Sequence, residues 1–321
     1  MIYHLISKSC QRLNKPNLIN NLIKSQKQSI IYSSSSSSGS SKFISNKYFT
    51  TTSNSNNNSN NTTTTTTTTL RQDEIDFFNQ QSSDWWNPEG TMKPLHRMNP
   101  FRVKYICDRL KIYNEKVSKN PIHLPLEGLN VIDVGCGVGL LTESLSRLGA
   151  SKVVGLDAAK NNILMAISHA SFDQKLNENI QNKSLNYLES TIENFYNIEN
   201  DQQFDAVCSL EVIEHVDNPK QFIDYLSKIV KPGGSIFIST INKTFLSYIS
   251  AILGAEYIFR MVPVGTHHWD QFIKPKDLES YFDSNNCQIT DLKGLVYNPL
   301  TCEWDFTNDL NVNYLLHAIK K

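Results

Sequence analysis

The chain has 321 residues, and its 31 basic and 31 acidic side chains cancel to a formal net charge of zero. That balance hides two unlike parts: the first 70 residues hold seven basic side chains and no acid, so the remaining 251 carry 24 basic against 31 acidic residues, net −7. A body of that sign has no general attraction for nucleic acid, and six scattered cysteines without a C-x-x-C pair exclude a zinc ribbon and fit free thiols.

The first segment carries Lys8, Arg12, Lys15, Lys24, Lys27, Lys42 and Lys47, then serine and Thr/Asn runs that supply no core. A basic, Ser-rich, acid-free N-terminus has the composition of a mitochondrial transit peptide, and Ile2, Leu5, Ile6 and Leu13 give its first turns an apolar face. Lysine outnumbers arginine there, against the usual pattern, so a plain disordered tail is the other reading. We expect a transit peptide with a low-complexity tail over 1–70 and one α/β domain over 71–321.

Residues 73–119 are expected to be helical and aromatic-rich, with the helix that carries Arg102 starting at Asn99-Pro100. A strand is expected over 129–134, running into the loop Gly135, Cys136, Gly137, Val138, Gly139. Leu141, Leu145 and Leu148 then form one helical stripe, and Gly149 is placed to cap its C-terminus. A second strand over 153–157 ends on Asp157. Glycines let a loop backbone approach a ligand closely, and an acid about 20 residues on accepts hydrogen bonds from both ribose hydroxyls. Strand, loop, helix and acid tip together mark a nucleotide-cofactor site. The glycine spacing, with Asp133 ahead of it, differs from the dinucleotide pattern G-x-G-x-x-G and resembles the loop of class I S-adenosylmethionine (SAM) methyltransferases.

Further strands are expected over 185–188, 204–210 and 235–240, with a helix over 219–230 whose Phe222, Leu226 and Ile229 share a face. This alternation implies a Rossmann-like, mostly parallel sheet with helices on both faces, and the ligand lies beyond the strand C-termini. Segment 244–262 is apolar, but Glu256 and Arg260 interrupt it, leaving too short an uncharged run to span a bilayer. It reads as a lid or interfacial helix, and 288–321 as closing strands.

After the strand over 204–210 come Glu211, Glu214 and His215, which share a face through i, i+3 and i+4 spacing if the chain is helical there. Two carboxylates and an imidazole suit a divalent cation: Mg²⁺ by the oxygen donors, Mn²⁺ or Zn²⁺ by the imidazole. The other reading is that Glu211 and His215 orient the cofactor or form an ion pair. A cation would favour the ionised form of a phenol, whose pKa is about 10 by analogy with tyrosine.

Residues 85–102, W-W-N-P-E-G-T-M-K-P-L-H-R-M-N-P-F-R, closely resemble the N-terminal signature of the ubiquinone-biosynthesis O-methyltransferases. Similar stretches lie at 254–263, 265–269, 272–275 and 297–299, so the resemblance covers about 73–321. It implies a class I methyltransferase fold and SAM-dependent methylation of catechol-type hydroxyls on polyprenylated benzoate and quinol intermediates. Carried over by motif, Arg102 reaches the cofactor's carboxylate, Gly135 belongs to its loop, Asp157 holds the ribose and Leu210 lines the adenine pocket. Glu211, Glu214 and His215 match the positions of a divalent metal, Mg²⁺ in the first instance. The resemblance also implies a peripheral position on the matrix face of the mitochondrial inner membrane, within a multi-protein biosynthetic assembly, and 244–262 is a candidate for the membrane contact.

The sequence does not assign a catalytic base. His267, His268 and Lys274 are candidates to meet a benzoate carboxylate or act as base, and Trp85, Trp86 and Trp269 to pack over an aromatic substrate. Two other functions are weighed: a SAM-dependent methyltransferase with another small acceptor, and a non-catalytic subunit of methyltransferase fold. The intact glycine loop and acid cluster argue against the second.

Overall fold

The computed structural model describes residues 85–90, 92–117, 123–199, 203–244, 247, 271–298, 301 and 303–321. The expectations for 1–70, for 244–262 apart from Thr244 and Ser247, and for His267, His268 and Trp269 lie outside the described residues. A long helix, α1 (Lys93–Val117), precedes an alternating series: β1 (Asn130–Val134), α2 (Leu140–Arg147), β2 (Lys152–Asp157), α3 (Lys160–Ala170), α4 (Gln174–Gln181), β3 (Leu185–Glu189), α5 (Ile192–Ile198) and β4 (Phe204–Leu210). A 3₁₀ turn (Ile213–His215), α6 (Pro219–Ile229), β5 (Val230–Ile241), α7 (Pro275–Ser284), β6 (Cys287–Asn298), β7 (Glu303–Thr307) and β8 (Asn313–Lys320) complete the order.

The eight strands form one sheet in the order β3-β2-β1-β4-β5-β8-β6-β7. The first five pair in parallel and the last three join antiparallel, with β8 inserted between β5 and β6. This is the expected Rossmann-like architecture with an antiparallel end. β4 is buried along all seven of its residues, as a central strand covered on both faces must be. Its one acid, Asp205, is held by Asn130 N, Tyr113 Oη and Lys231 Nζ, so its burial leaves no uncompensated charge.

The helices bury the stripes their sequences announce. Leu141, Leu145 and Leu148 are all inside, and Gly149, at φ 93°, turns α2 off. Asn218 caps α6 by accepting from Gln221 N, Pro219 opens the first turn, and Phe222, Ile223, Leu226 and Ile229 face the core. One boundary differs from expectation: α1 starts at Lys93 and runs through Pro100 rather than starting there. Proline costs a helix one hydrogen bond. Tertiary contacts on both sides offset that loss, because Met98 and Val103 are buried and the Asn99 amide donates to Leu140 O and Ser144 Oγ.

Candidate functional site

At the C-terminal edge of the parallel strands, β1 runs into three glycines, Gly135, Gly137 and Gly139, with φ of 75°, 55° and 89°. These left-handed conformations strain any residue with a Cβ, which is why glycine recurs at alternate positions. Gly135 N and Cys136 N donate to Leu156 O of β2 at 2.7 and 3.0 Å, tying the loop to the neighbouring strand. Space is also short: a Cβ on Gly135 would lie 2.3 Å from a Val212 methyl, and one on Gly137 3.0 Å from the Trp85 ring.

Asp157, at the tip of β2, closes over this loop. Its carboxylate accepts from Gly137 N at 2.8 Å, Ala159 N at 2.8 Å and the Asn162 amide at 3.2 Å. Burial raises its pKa, and the Ala159 and Gly137 backbone donors work against that rise. Behind it, Asp133 accepts from Thr142 Oγ1 at 2.6 Å. Burial pushes Asp133 up to about 7, against the pull of the Thr142 hydrogen bond.

Arg102 reaches the same edge from α1 and is only 6% exposed. Its Nη2 lies 2.8 Å from Glu211 Oε1, yet neither Nη2 nor Nε makes a directed hydrogen bond to any described acceptor. A buried guanidinium in that condition is costly unless something planar and anionic meets it. Leu210 ends β4 at 9% exposure, and Glu211 follows at φ 57°, left-handed without being glycine. Glu211 Oε1 also accepts from Ser239 Oγ at 2.7 Å, and Glu211 N donates to Ser239 O. Glu214 is 3% exposed and accepts from Thr240 Oγ1 at 2.9 Å. Burial is the main force that lifts Glu214 to about 7. The charge of Glu211 adds to the rise, and His215 opposes it.

Arg102, Gly135, Asp157, Leu210 and Glu211 therefore gather at one edge. The expected i, i+3, i+4 face does not form, because Glu211 is left-handed and only Ile213–His215 winds, as a 3₁₀ turn. Among the described residues no three His, Cys, Asp or Glu side chains are grouped closely enough to hold a metal ion. Glu211 turns to Arg102 and Ser239 instead, so the trio does not fit a metal in this arrangement. A planar carboxylate such as that of SAM is the kind of partner the two undirected Arg102 nitrogens can take.

Lys274 stands at the N-cap of α7. Trp85 and Trp86 are engaged with the loop. Trp85 packs on Gly137, and Trp86 donates to Val138 O at 3.1 Å while stacking on His169 at 3.4 Å between ring centroids. Sequence reasoning missed Ser239 and Thr240, which anchor the two glutamates from the end of β5. Their signal was a pair of small hydroxyls closing an apolar strand, Ile236, Phe237, Ile238, at the ligand edge.

Known proteins resemble this chain in sequence. Residues 98–292 match the family described as a methyltransferase domain. The chain is 43% identical over 247 residues to the mitochondrial ubiquinone biosynthesis O-methyltransferase of Rattus norvegicus, covering 77% of this chain and 69% of that protein. It is 40% identical over 246 residues to the ubiquinone biosynthesis O-methyltransferase of Bartonella tribocorum, covering 76% and 94%. With the mitochondrial enzyme of Arabidopsis thaliana it shares 41% over 250 residues, covering 78% and 74%.

Proposed function

This chain belongs to the ubiquinone biosynthesis O-methyltransferases, and from that membership we propose how its residues serve a SAM-dependent O-methyltransferase of ubiquinone biosynthesis. Its acceptors are the catechol-type hydroxyls of a 3,4-dihydroxy-5-polyprenylbenzoate and of demethylubiquinol. The observation that carries the site assignment is the buried Arg102 fork, with two nitrogens lacking directed partners beside a glycine loop and an acid-tipped strand.

Arg102 holds the carboxylate end of SAM, Gly135 lets the loop backbone come close, Asp157 accepts from the ribose hydroxyls and Leu210 lines the adenine side. Bound SAM supplies a methyl group on a sulfonium. That methyl would pass in line to the catechol oxygen, the S–CH₃ electron pair returning to sulfur to leave S-adenosylhomocysteine and the phenolic proton passing to water. The residues contribute chiefly by orientation: two clamps, Arg102 and Asp157, set the position of the cofactor from opposite ends.

Glu211, Glu214 and His215 are retained as the site of a divalent cation, Mg²⁺ in the first instance, and no step above runs through it. The donor chemistry and the family resemblance support that reading. We place the working enzyme on the matrix face of the mitochondrial inner membrane within a multi-protein assembly, with 1–70 as transit peptide and tail and 71–321 as the catalytic domain. Support comes from the mitochondrial relatives and the isoprenoid tails of the acceptors. No described helix is long and apolar enough to cross a membrane.

The test is transfer of labelled methyl from SAM to a short-chain polyprenyl dihydroxybenzoate, with chelator and with added Mg²⁺. Transfer that chelator abolishes and Mg²⁺ restores is the expected result. SAM binding without transfer to this acceptor would overturn the substrate assignment.

A further inference from the structure

The two halves of the glycine loop are held by different means. Asp157 fixes the first half by accepting from Gly137 N at 2.8 Å. The second half runs into α2 at Gly139, an N-cap position with no side-chain hydrogen bond. It closes instead into a ring of contacts. Trp86 Nε1 donates to Val138 O at 3.1 Å, and the indole lies on the His169 ring at 3.4 Å between centroids and 3° between planes. His169 Nδ1 meets Glu143 Oε1 at 2.7 Å, and Glu143 N donates to Gly139 O at 2.9 Å. The ring thus begins and ends on adjacent loop residues, Val138 and Gly139, after passing through the end of α3 and the first turn of α2.

Each member is constrained in the direction the ring needs. Glu143 is 3% exposed, and Arg147 holds it from the far side, with Nη2 donating to Glu143 Oε2 at 3.3 Å and Nη1 to Asp173 Oδ2 at 2.6 Å. An ionised carboxylate only accepts, so the proton of the His169 contact sits on Nδ1, which sets both the tautomer and the plane of the imidazole. An indole stacked on that plane has little freedom to tilt, and its N–H stays aimed at one carbonyl. The loop gains most from such a tie, because glycine has more backbone freedom to lose than any other residue and a loop ordered in advance spares the ligand that cost.

We propose that Glu143 and His169 are positioning residues of the cofactor loop, holding the Trp86 indole in the orientation that fixes the Val138 carbonyl, so that the loop is ordered before SAM arrives. This rests on the assignment of the glycine loop to SAM made above. Neither residue touches the cofactor; both act through Trp86.

A double-variant cycle on the full chain, with S-adenosylhomocysteine binding followed by calorimetry and folding by melting curves, separates this from a role in packing alone. Trp86→Phe keeps an aromatic ring on His169 and cuts the tie to Val138. Glu143→Gln and Trp86→Phe are each expected to weaken S-adenosylhomocysteine about fivefold, and the double variant also about fivefold, because the second change acts on a link already broken. If Glu143→Gln does not melt cooperatively, His169→Leu, which leaves Glu143 on Arg147, closes the same cycle with the same expectation. Independent effects, about twenty-five-fold in the double variant, overturn the proposal, as does full affinity in Glu143→Gln or in His169→Leu. Either result leaves the SAM assignment standing. Failure of the unaltered chain to bind S-adenosylhomocysteine removes that assignment and the proposal with it.

Discussion

The two ends of the sheet bury basic side chains in opposite ways. In the antiparallel end, His317 of β8 is 5% exposed, its Nδ1 meets Thr290 Oγ1 at 2.9 Å, its Nε2 meets Ser235 Oγ at 3.0 Å, and its ring stacks on Phe237. At the tips of the parallel strands Arg102 is as deeply placed, yet two of its nitrogens lack directed partners. Burial alone does not distinguish the two. What separates them is whether the protein supplies every hydrogen-bond partner: it does for His317, whereas for Arg102 it leaves two nitrogens open to the SAM carboxylate proposed above.

The strongest challenge to that contrast is Gly135→Val. A left-handed φ and a Cβ 2.3 Å from Val212 together make it cost roughly 4 kcal/mol in the loop's bound geometry. Calorimetry should then show SAM binding lost from a protein that still melts cooperatively. A variant that binds SAM normally would mean the loop is packing and not a cradle.

The next effect belongs to the other end. Burial lowers the pKa of His317 from 6.5 to about 4, with the nearby Arg109 charge acting the same way, so the fold favours the neutral ring. The unfolded chain then binds more protons than the native one between those values. The stabilisation is complete above pH 6.5 and is lost as pH falls through about 4, a change on the order of 3 kcal/mol. Melting curves of His317→Asn should lose this part of the acid dependence, while SAM affinity at pH 7.5 stays as it was.

Asp157→Asn comes third. It keeps one acceptor oxygen where the carboxylate now serves Gly137 N, Ala159 N and Asn162, and removes the charge. SAM should bind about tenfold to a hundredfold more weakly, roughly 2 kcal/mol, and the melting temperature should fall by a few degrees, because the amide NH₂ replaces an oxygen that accepts from a backbone N–H. A large stability loss with intact affinity would move Asp157 into the class of His317. Trp86→Phe is the mildest: the stack on His169 survives and the bond to Val138 O is lost, about 1 kcal/mol, read as a small weakening of SAM binding.

The parallel half was legible because its signals are local. Strand 204–210 is read to the residue, and 153–157 to within one, since buried β-branched runs, glycine turns and a helical stripe are each written in a short window. The antiparallel end showed as closing strands, but the insertion of β8 between β5 and β6 depends on pairing between distant segments that no window contains. The site divides in the same manner. Gly135 and Asp157 follow from motif spacing. The contact of Arg102 with Glu211 joins residues on α1 and after β4, and the left-handed turn at Glu211 is not signalled by a glutamate, a residue that usually continues a helix. The start of α1 was misread because Pro100 is a local stop sign that packing overrides.

The contacts of Trp85 and Trp86 with the glycine loop bear on where an N-terminal truncation can stop. Trp85 covers Gly137, and Trp86 is bonded to Val138 and stacked on the side chain that pairs with Glu143. A protease that shortens the N-terminus meets a boundary there: cuts before residue 85 leave both indoles in place, and cuts after residue 86 strip the loop of its cover. An N-terminal truncation that keeps this cover is thus bounded from within by the glycine loop.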